Sequence, residues 1–145
     1  QQYDLSKSLE KFTEFLNFVS FKYKVDFEKI TKDLQEFTQE EKDFRTLAMI
    51  EEVNEYMNAN TKADELDALI DVVVFALGTA ERQGMLNVFK TGYLRVMEAN
   101  SKKEIGQNAK RNNFKIDLVK PEGWQPAVLE DLVSEPKQIE MNFGE

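Results

Sequence analysis

The sequence predicts an all-α fold: a helical bundle of about four to five helices, completed by oligomerisation and followed by an irregular C-terminal tail. Three observations carry this expectation. Apolar residues recur at three- and four-residue spacing as far as about Asn100, the period of a helix with one buried face. Thr38-Gln39-Glu40-Glu41 has the pattern of a capping box, in which a Thr hydroxyl serves a backbone amide three residues on while the Glu reaches back. Finally, the only charged residues from Leu66 to Ala80 are Asp67 and Asp71, so a helix there would be apolar almost all the way round and buried on most sides.

Taken in order, Leu5, Leu9, Phe12, Phe15, Leu16 and Val19 place a first helix from about residue 4 to the low twenties, with Asp4 or Ser6 as cap. A second, shorter helix is expected after Asp26, carrying Phe27, Ile30, Leu34 and Phe37; these aromatic residues read as core. The third follows the capping box to about Asn58, turning Phe44, Leu47, Ile50, Val53 and Met57 toward a core and Glu51, Glu52 and Glu55 away from it. The short polar stretch Asn58 to Lys62 makes the third and fourth helices antiparallel neighbours. The fourth ends near Gly84, which suits a left-handed cap, and the fifth runs to about Asn100 with Gly92 marking close packing. Lys102 to Lys120 reads as a basic loop with a short strand at Phe114 to Val119, Pro121 to Pro126 as a turn, and Ala127 to Val133 as one or two helical turns. One domain is expected over residues 1–133, with 134–145 a loosely held tail.

Composition narrows the chemistry. Hydrophobic residues make up 41% of the chain, which suits a folded domain. There is no Cys, hence no disulfide, thiolate nucleophile or zinc-thiolate site, and no His, the commonest general base and metal ligand. The net charge of -8 opposes general binding to nucleic-acid polymers or anionic membranes. The apolar run is too short for a membrane span and is interrupted by Asp71. The absence of Cys fits a cytoplasmic location, which is expected. Charge is uneven along the sequence: six basic residues from Lys102 to Lys120 stand against Glu104 and Asp117, a local balance of +4. Such a segment is either a solvated loop or a source of positive charge for an anionic ligand.

Asp67 and Asp71, four apart, share one helix face, and carboxylates in an apolar run need a cation, a donor or a proton. Lys or Arg from a neighbouring helix would satisfy them; so would a metal. The helical hairpin brings Glu51, Glu52 and Glu55 opposite Asp64, Asp67 and Asp71, although an exposed acidic face is the alternative for the Glu cluster. Oxygen-only ligands suit Mg2+ or Mn2+ and suit Zn2+, Cu2+ or haem poorly.

Glu-x-x-Glu at Glu52 and Glu55, Asp64-x-x-Asp67 and Asp71 across a hairpin, with the strings DALIDVVVFALGTAERQGM, VMEANSKK and VKPEGWQP, resemble the all-alpha nucleoside triphosphate pyrophosphatases. That group includes MazG, the dimeric dUTPases and phosphoribosyl-ATP pyrophosphatase. The likeness spans Arg45 to Pro126, with Asp64 standing where the family usually has Glu. It implies Mg2+ held by Glu52, Glu55, Asp67 and Asp71, with Asp64 beside them, and a water oriented or deprotonated by Glu51 or Glu52. It further implies that Asn100, Lys102, Lys103 and Arg111 meet the substrate. The reaction would convert a nucleoside triphosphate to the monophosphate and pyrophosphate in a homodimer or homotetramer, with Val72 to Leu77 at a subunit interface. The alternative is a non-enzymatic helical module whose acidic patch binds a basic partner, or binds nucleotide without cleaving it.

Overall fold

The computed structural model describes residues 5–27, 34–111 and 113–134. Helices α1 (Leu5–Tyr23), α2 (Gln39–Asn58), α3 (Lys62–Arg82) and α4 (Leu86–Ser101) precede strand β1 (Glu104–Gly106), a 3-10 turn at Ala109–Arg111, strand β2 (Asp117–Val119) and the single-turn α5 (Glu130–Val133). The protein is thus a helical bundle, as its periodicity predicts. No described helix is long and apolar enough to cross a membrane.

The helix ends follow local chemistry. Glu41 N donates to Thr38 Oγ1, Thr38 N donates to Glu41 Oε2, and the box starts α2 as its four residues predict. Thr61 caps α3 through its hydroxyl, which accepts from Asp64 N. At the far end Gly84 adopts φ 69° and lets Met85 N reach Ala80 O at 2.8 Å, closing the last turn of α3. Lys24 performs the same duty for α1 at φ 55°, with Val25 N bonded to Ser20 O; here the left-handed position carries a side chain.

The second expected helix is not found where the chain is described. Phe27 lies in a turn and residues 34–38 have no regular structure; residues 28–33 lie outside the described set. Gln35 N donates instead to Gln83 O at 3.0 Å, so this segment is tied to the end of α3 and not to a ladder of its own.

The packed pairs are α2 with α3, α1 with α4, α3 with α4, α4 with α5, and β1 with β2. Val19, Leu77, Ala80 and Leu86 form the buried cluster where α1, α3 and α4 meet, flanked by Tyr23, Val25, Phe27, Met85 and Phe89. Phe12 stacks on Tyr93 at 3.8 Å between centroids, joining α1 to α4. The C-terminal segment folds back on α4: Arg95 clasps Asp131 at 2.7 and 3.0 Å, and a Cβ on Gly92 would sit 3.6 Å from Leu132 Cδ1. Gly92 faces Leu132 and Leu129, but a methyl there would meet only ordinary contact, so the close packing expected at this glycine is not found.

Two sequence expectations are reversed. Phe44, Leu47, Ile50, Val53 and Met57 do not enter a core: α2 buries no residue, and Leu47 is 65% and Met57 70% exposed. The half-buried positions of α2 are Glu41, Arg45, Ala48, Met49 and Glu52, the face turned to α3. The reason is that α2 has one helical neighbour, and contacts along its length select that face. Arg82 Nη2 lies 3.3 Å from Glu41 Oε1, and Arg45 lies across Gly78, where an added Cβ would come to 3.4 Å of its guanidinium. Nor is α3 buried all round. Leu66, Leu69, Ile70, Val73 and Val74 are exposed, while Ala68, Leu77 and Ala80 are buried. Within the stretch assigned to a subunit interface, Leu77 belongs to the protomer's own core.

The basic segment also differs from a loop with one strand. β1 pairs antiparallel with β2 in the register Glu104 to Val119, Ile105 to Leu118 and Gly106 to Asp117, and Phe114 and Ile116 stay exposed outside the ladder. Residues 135–145 of the expected tail lie outside the described residues.

Candidate metal centre

The hairpin α2–α3 brings carboxylates from two helices to one point. Glu52 and Glu55, three apart on α2, and Asp71 on α3 each offer an oxygen within 4.8 Å of the others. Glu52 and Asp71 are half-buried at the helix contact and Glu55 is exposed. Glu52 Oε2 is shielded from solvent and receives no hydrogen bond from an N–H or O–H donor of the described residues.

That orphaned oxygen has an electrostatic signature. The Glu52 carboxyl is pushed up from 4.5 to about 7, first by burial, then by a hydrogen bond with Glu55, and then by the negative charges of Glu55, Asp71 and Glu51. Two carboxyl groups share a hydrogen bond only when one of them is protonated, and a bound cation would take the place of that proton. Three hard oxygen donors with no His or Cys fit a small divalent cation, Mg2+ or Mn2+. The donor set and the unsatisfied Glu52 oxygen both suit such an ion, and no described Lys or Arg forms an ion pair with any of the three.

The other acidic candidates stay outside this point. Glu51 is exposed and lines a hollow of about 470 Å³ with Ile50, Asn54, Glu55 and Asn58, so it adjoins the cluster through Glu55. Asp64 is exposed in the first turn of α3, where a negative charge complements the helix dipole and its backbone amide takes the Thr61 cap. Asp67 is exposed as well, one turn before Asp71. The expectation that Asp67 and Asp71 are buried as a pair thus gives way to one half-buried Asp facing α2 and one solvated Asp.

The substrate-binding candidates lie at and beyond the end of α4. Asn100 is half-buried, and its carbonyl accepts from Lys103 N at 3.0 Å. Lys102 makes a long exposed pair with Glu98 at 3.9 Å. Lys103 sits over the Trp124 ring at 5.0 Å, and Trp124 Nε1 is bound to Ala99 O at 2.7 Å. Arg111 is committed to Asp117 through two bonds of 2.7 and 3.1 Å, which hold the Asp117 carboxyl below its usual range. None of these residues is on an element packed against α2; of the elements that carry them, α4 packs against α3. Lys120 and Trp124, both in the VKPEGWQP string, are not among the substrate-binding candidates, yet the Lys120 cation lies 5.1 Å from the Trp124 ring centre beside Lys103. No family model, curated protein or solved structure matches the chain.

Proposed function

We propose that this protein is a metal-dependent nucleoside triphosphate pyrophosphohydrolase whose Mg2+ or Mn2+ is held by Glu52, Glu55 and Asp71. The observation that carries the reading is the convergence of these three carboxylates, with the shielded oxygen of Glu52 left without a partner. The resemblance to the all-alpha nucleoside triphosphate pyrophosphatases supplies the substrate class. When bound, the ion supplies Lewis acidity and neutralises charge that builds on the phosphates.

The chain's own residues have separate tasks in this reading. Glu52, Glu55 and Asp71 present the ligand oxygens; Glu51, exposed beside Glu55, remains available to take a proton. A water oxygen bonds to the α phosphorus, its proton passes to Glu51, and the bond between the α phosphorus and the bridging oxygen breaks. The products are the nucleoside monophosphate and pyrophosphate. The reading includes a cytoplasmic setting and a homodimer or homotetramer, the latter supported by the uncovered apolar stripe of α2.

A panel of dNTPs and NTPs with Mg2+, resolving pyrophosphate from orthophosphate, tests it. Pyrophosphate release that disappears in Asp71→Asn is expected; no turnover, or orthophosphate alone, would overturn it. The exposure of Glu51, Asp64 and Asp67 favours a second reading, a non-enzymatic module whose acidic patch meets a basic partner. Such a patch would tolerate Asp71→Asn and bind no dication.

A further inference from the structure

Charged groups recur at matched levels along the seam between α2 and α3. Glu41 of α2 meets Arg82 of α3 at 3.3 Å, Arg45 lies across Gly78, and Glu52 meets Asp71. Arg45 follows Glu41 by four residues and Arg82 follows Gly78 by four; Glu52 follows Arg45 by seven and Gly78 follows Asp71 by seven. Equal steps in opposite directions are what two antiparallel helices in fixed register produce, so these residues share one seam.

The charges are compensated at the first level alone. Arg45 is half-buried, and its guanidinium makes no ion pair or hydrogen bond among the described residues; it lies 6.0 Å from the ring centre of its neighbour Phe44. Glu52, Glu55 and Asp71 have no cation among the described residues either. Seven residues at 1.5 Å each set the two levels about 10 Å apart, too far for a direct ion pair. A cation and an acidic cluster are therefore fixed on one seam, each without its counter-charge. Gly78 is what admits the cation. Glycine inside a helix lowers its stability relative to alanine, yet here any side chain would begin with a Cβ 3.4 Å from Arg45 Nη1. With glycine at this level the planar fork lies against α3 with its N–H groups uncommitted.

We infer that Arg45 binds the β and γ phosphates of the nucleoside triphosphate, the part that departs as pyrophosphate, a role that rests on the metal-centre reading and adds the far end of the ligand to it. The ligand that satisfies both levels carries a dication at one end and several anionic oxygens at the other, and a metal-bound triphosphate has both. Starting from a metal–oxygen bond of about 2 Å, three linked phosphoryl groups cover the span between the levels, whereas a single phosphate does not. A guanidinium suits the far end because its fork meets two phosphate oxygens together and stays charged at any working pH. In the hydrolysis the water oxygen bonds to the α phosphorus and its proton passes to Glu51. The electron pair of the breaking bond leaves on the bridging oxygen of pyrophosphate, and Arg45 neutralises charge that collects on that group.

Calorimetry on the full chain with Mn2+, inorganic pyrophosphate and a nucleoside monophosphate tests this without turnover. Mn2+-loaded protein is expected to bind pyrophosphate. Arg45→Gln weakens that binding at least about tenfold, while its affinities for Mn2+ and for the monophosphate stay within about twofold of the parent. Arg45→Lys recovers part of the loss, since it keeps the charge without the fork. Arg82→Gln removes the ion pair one level along the same seam, so a purely structural role for the seam arginines would make it equally damaging; it is expected to leave pyrophosphate binding unchanged. In turnover, the kcat/KM preference for a nucleoside triphosphate over the diphosphate falls about tenfold in Arg45→Gln, because the shorter chain does not reach the guanidinium. If Arg45→Gln does not fold, as read by helical circular dichroism, Arg45→Lys carries the test through the same affinities. Failure of the parent protein to bind Mn2+ would overturn the metal-centre reading and the role of Arg45 together. With Mn2+ bound, an unchanged pyrophosphate affinity in Arg45→Gln, an equal loss for the monophosphate, or an equal loss in Arg82→Gln would overturn the role of Arg45 alone.

Discussion

Glu52 of α2 and Asp71 of α3 place carboxylate oxygens within 4.8 Å of each other across the helical hairpin, and Glu52 Oε2 has no donor among the described residues. Helix packing alone would select against this arrangement, since two like charges at a partly desolvated contact repel. Its consequences can be measured.

The first is a pH dependence with a definite sign. The Glu52 carboxyl is raised from 4.5 to about 7, so the folded protein holds that proton more tightly than the unfolded chain does. Its contribution to stability is complete below the unfolded value and is lost as pH rises through about 7. The chain has no His, so few other groups titrate in that window. Metal-free protein should melt at a higher temperature near pH 5 than near pH 8, Mn2+ should restore the loss, and Glu52→Gln should flatten the profile. A metal-free melting temperature that rises from pH 5 to pH 8 would contradict the assignment.

Asp67 and Asp71 are one helical turn apart but occupy different surroundings, exposed and half-buried. Calorimetry with Mn2+ should find Asp71→Asn weakened by at least about tenfold and Asp67→Asn close to the parent protein. Equal losses would place both residues on the ion.

The stripe Phe44, Leu47, Ile50, Val53 and Met57 is exposed along the whole of α2. Light scattering at micromolar concentration is expected to give a dimer or larger, and Leu47→Asp with Val53→Asp should shift it toward monomer. A well-behaved monomer of the parent protein would count against this.

Lys24 holds φ 55°, a conformation that costs a side-chain-bearing residue about 1–2 kcal/mol relative to the right-handed region. Glycine adopts it freely but gains unfolded-state entropy, so Lys24→Gly should stabilise the protein by up to about 1 kcal/mol in denaturant unfolding. Destabilisation would mean that the lysine side chain itself contributes at that turn.

Leu16 is 2% exposed and packs with α1 facing the bundle. Leu16→Ala should cost about 2–5 kcal/mol through lost burial and the cavity left behind. A cost well below this range would show that the bundle around α1 relaxes to fill the gap.

Features confined to a turn or two of chain follow from the residues alone. The Thr38 box, the Thr61 cap, the Gly84 terminus and the spans of α1, α2, α3 and α4 all depend on residues three to five positions apart, whose hydrogen bonds form wherever the helix sits. That acidic residues of α2 and α3 face each other was legible too, because the connection from Asn58 to Lys62 is short enough to make the two helices neighbours. Tertiary structure decided which carboxylates meet. Spacing grouped Asp67 with Asp71, whereas the rotation of α3 against α2 turned Asp71 inward with Glu52 and left Asp67 in solvent. The same rotation decided that the apolar stripe of α2 faces outward, since a stripe on one helix does not specify which neighbour covers it. β1 was hidden for a related reason: Glu104–Gly106 is too short to show a period, and it becomes a strand only because β2 supplies the other half of each hydrogen bond.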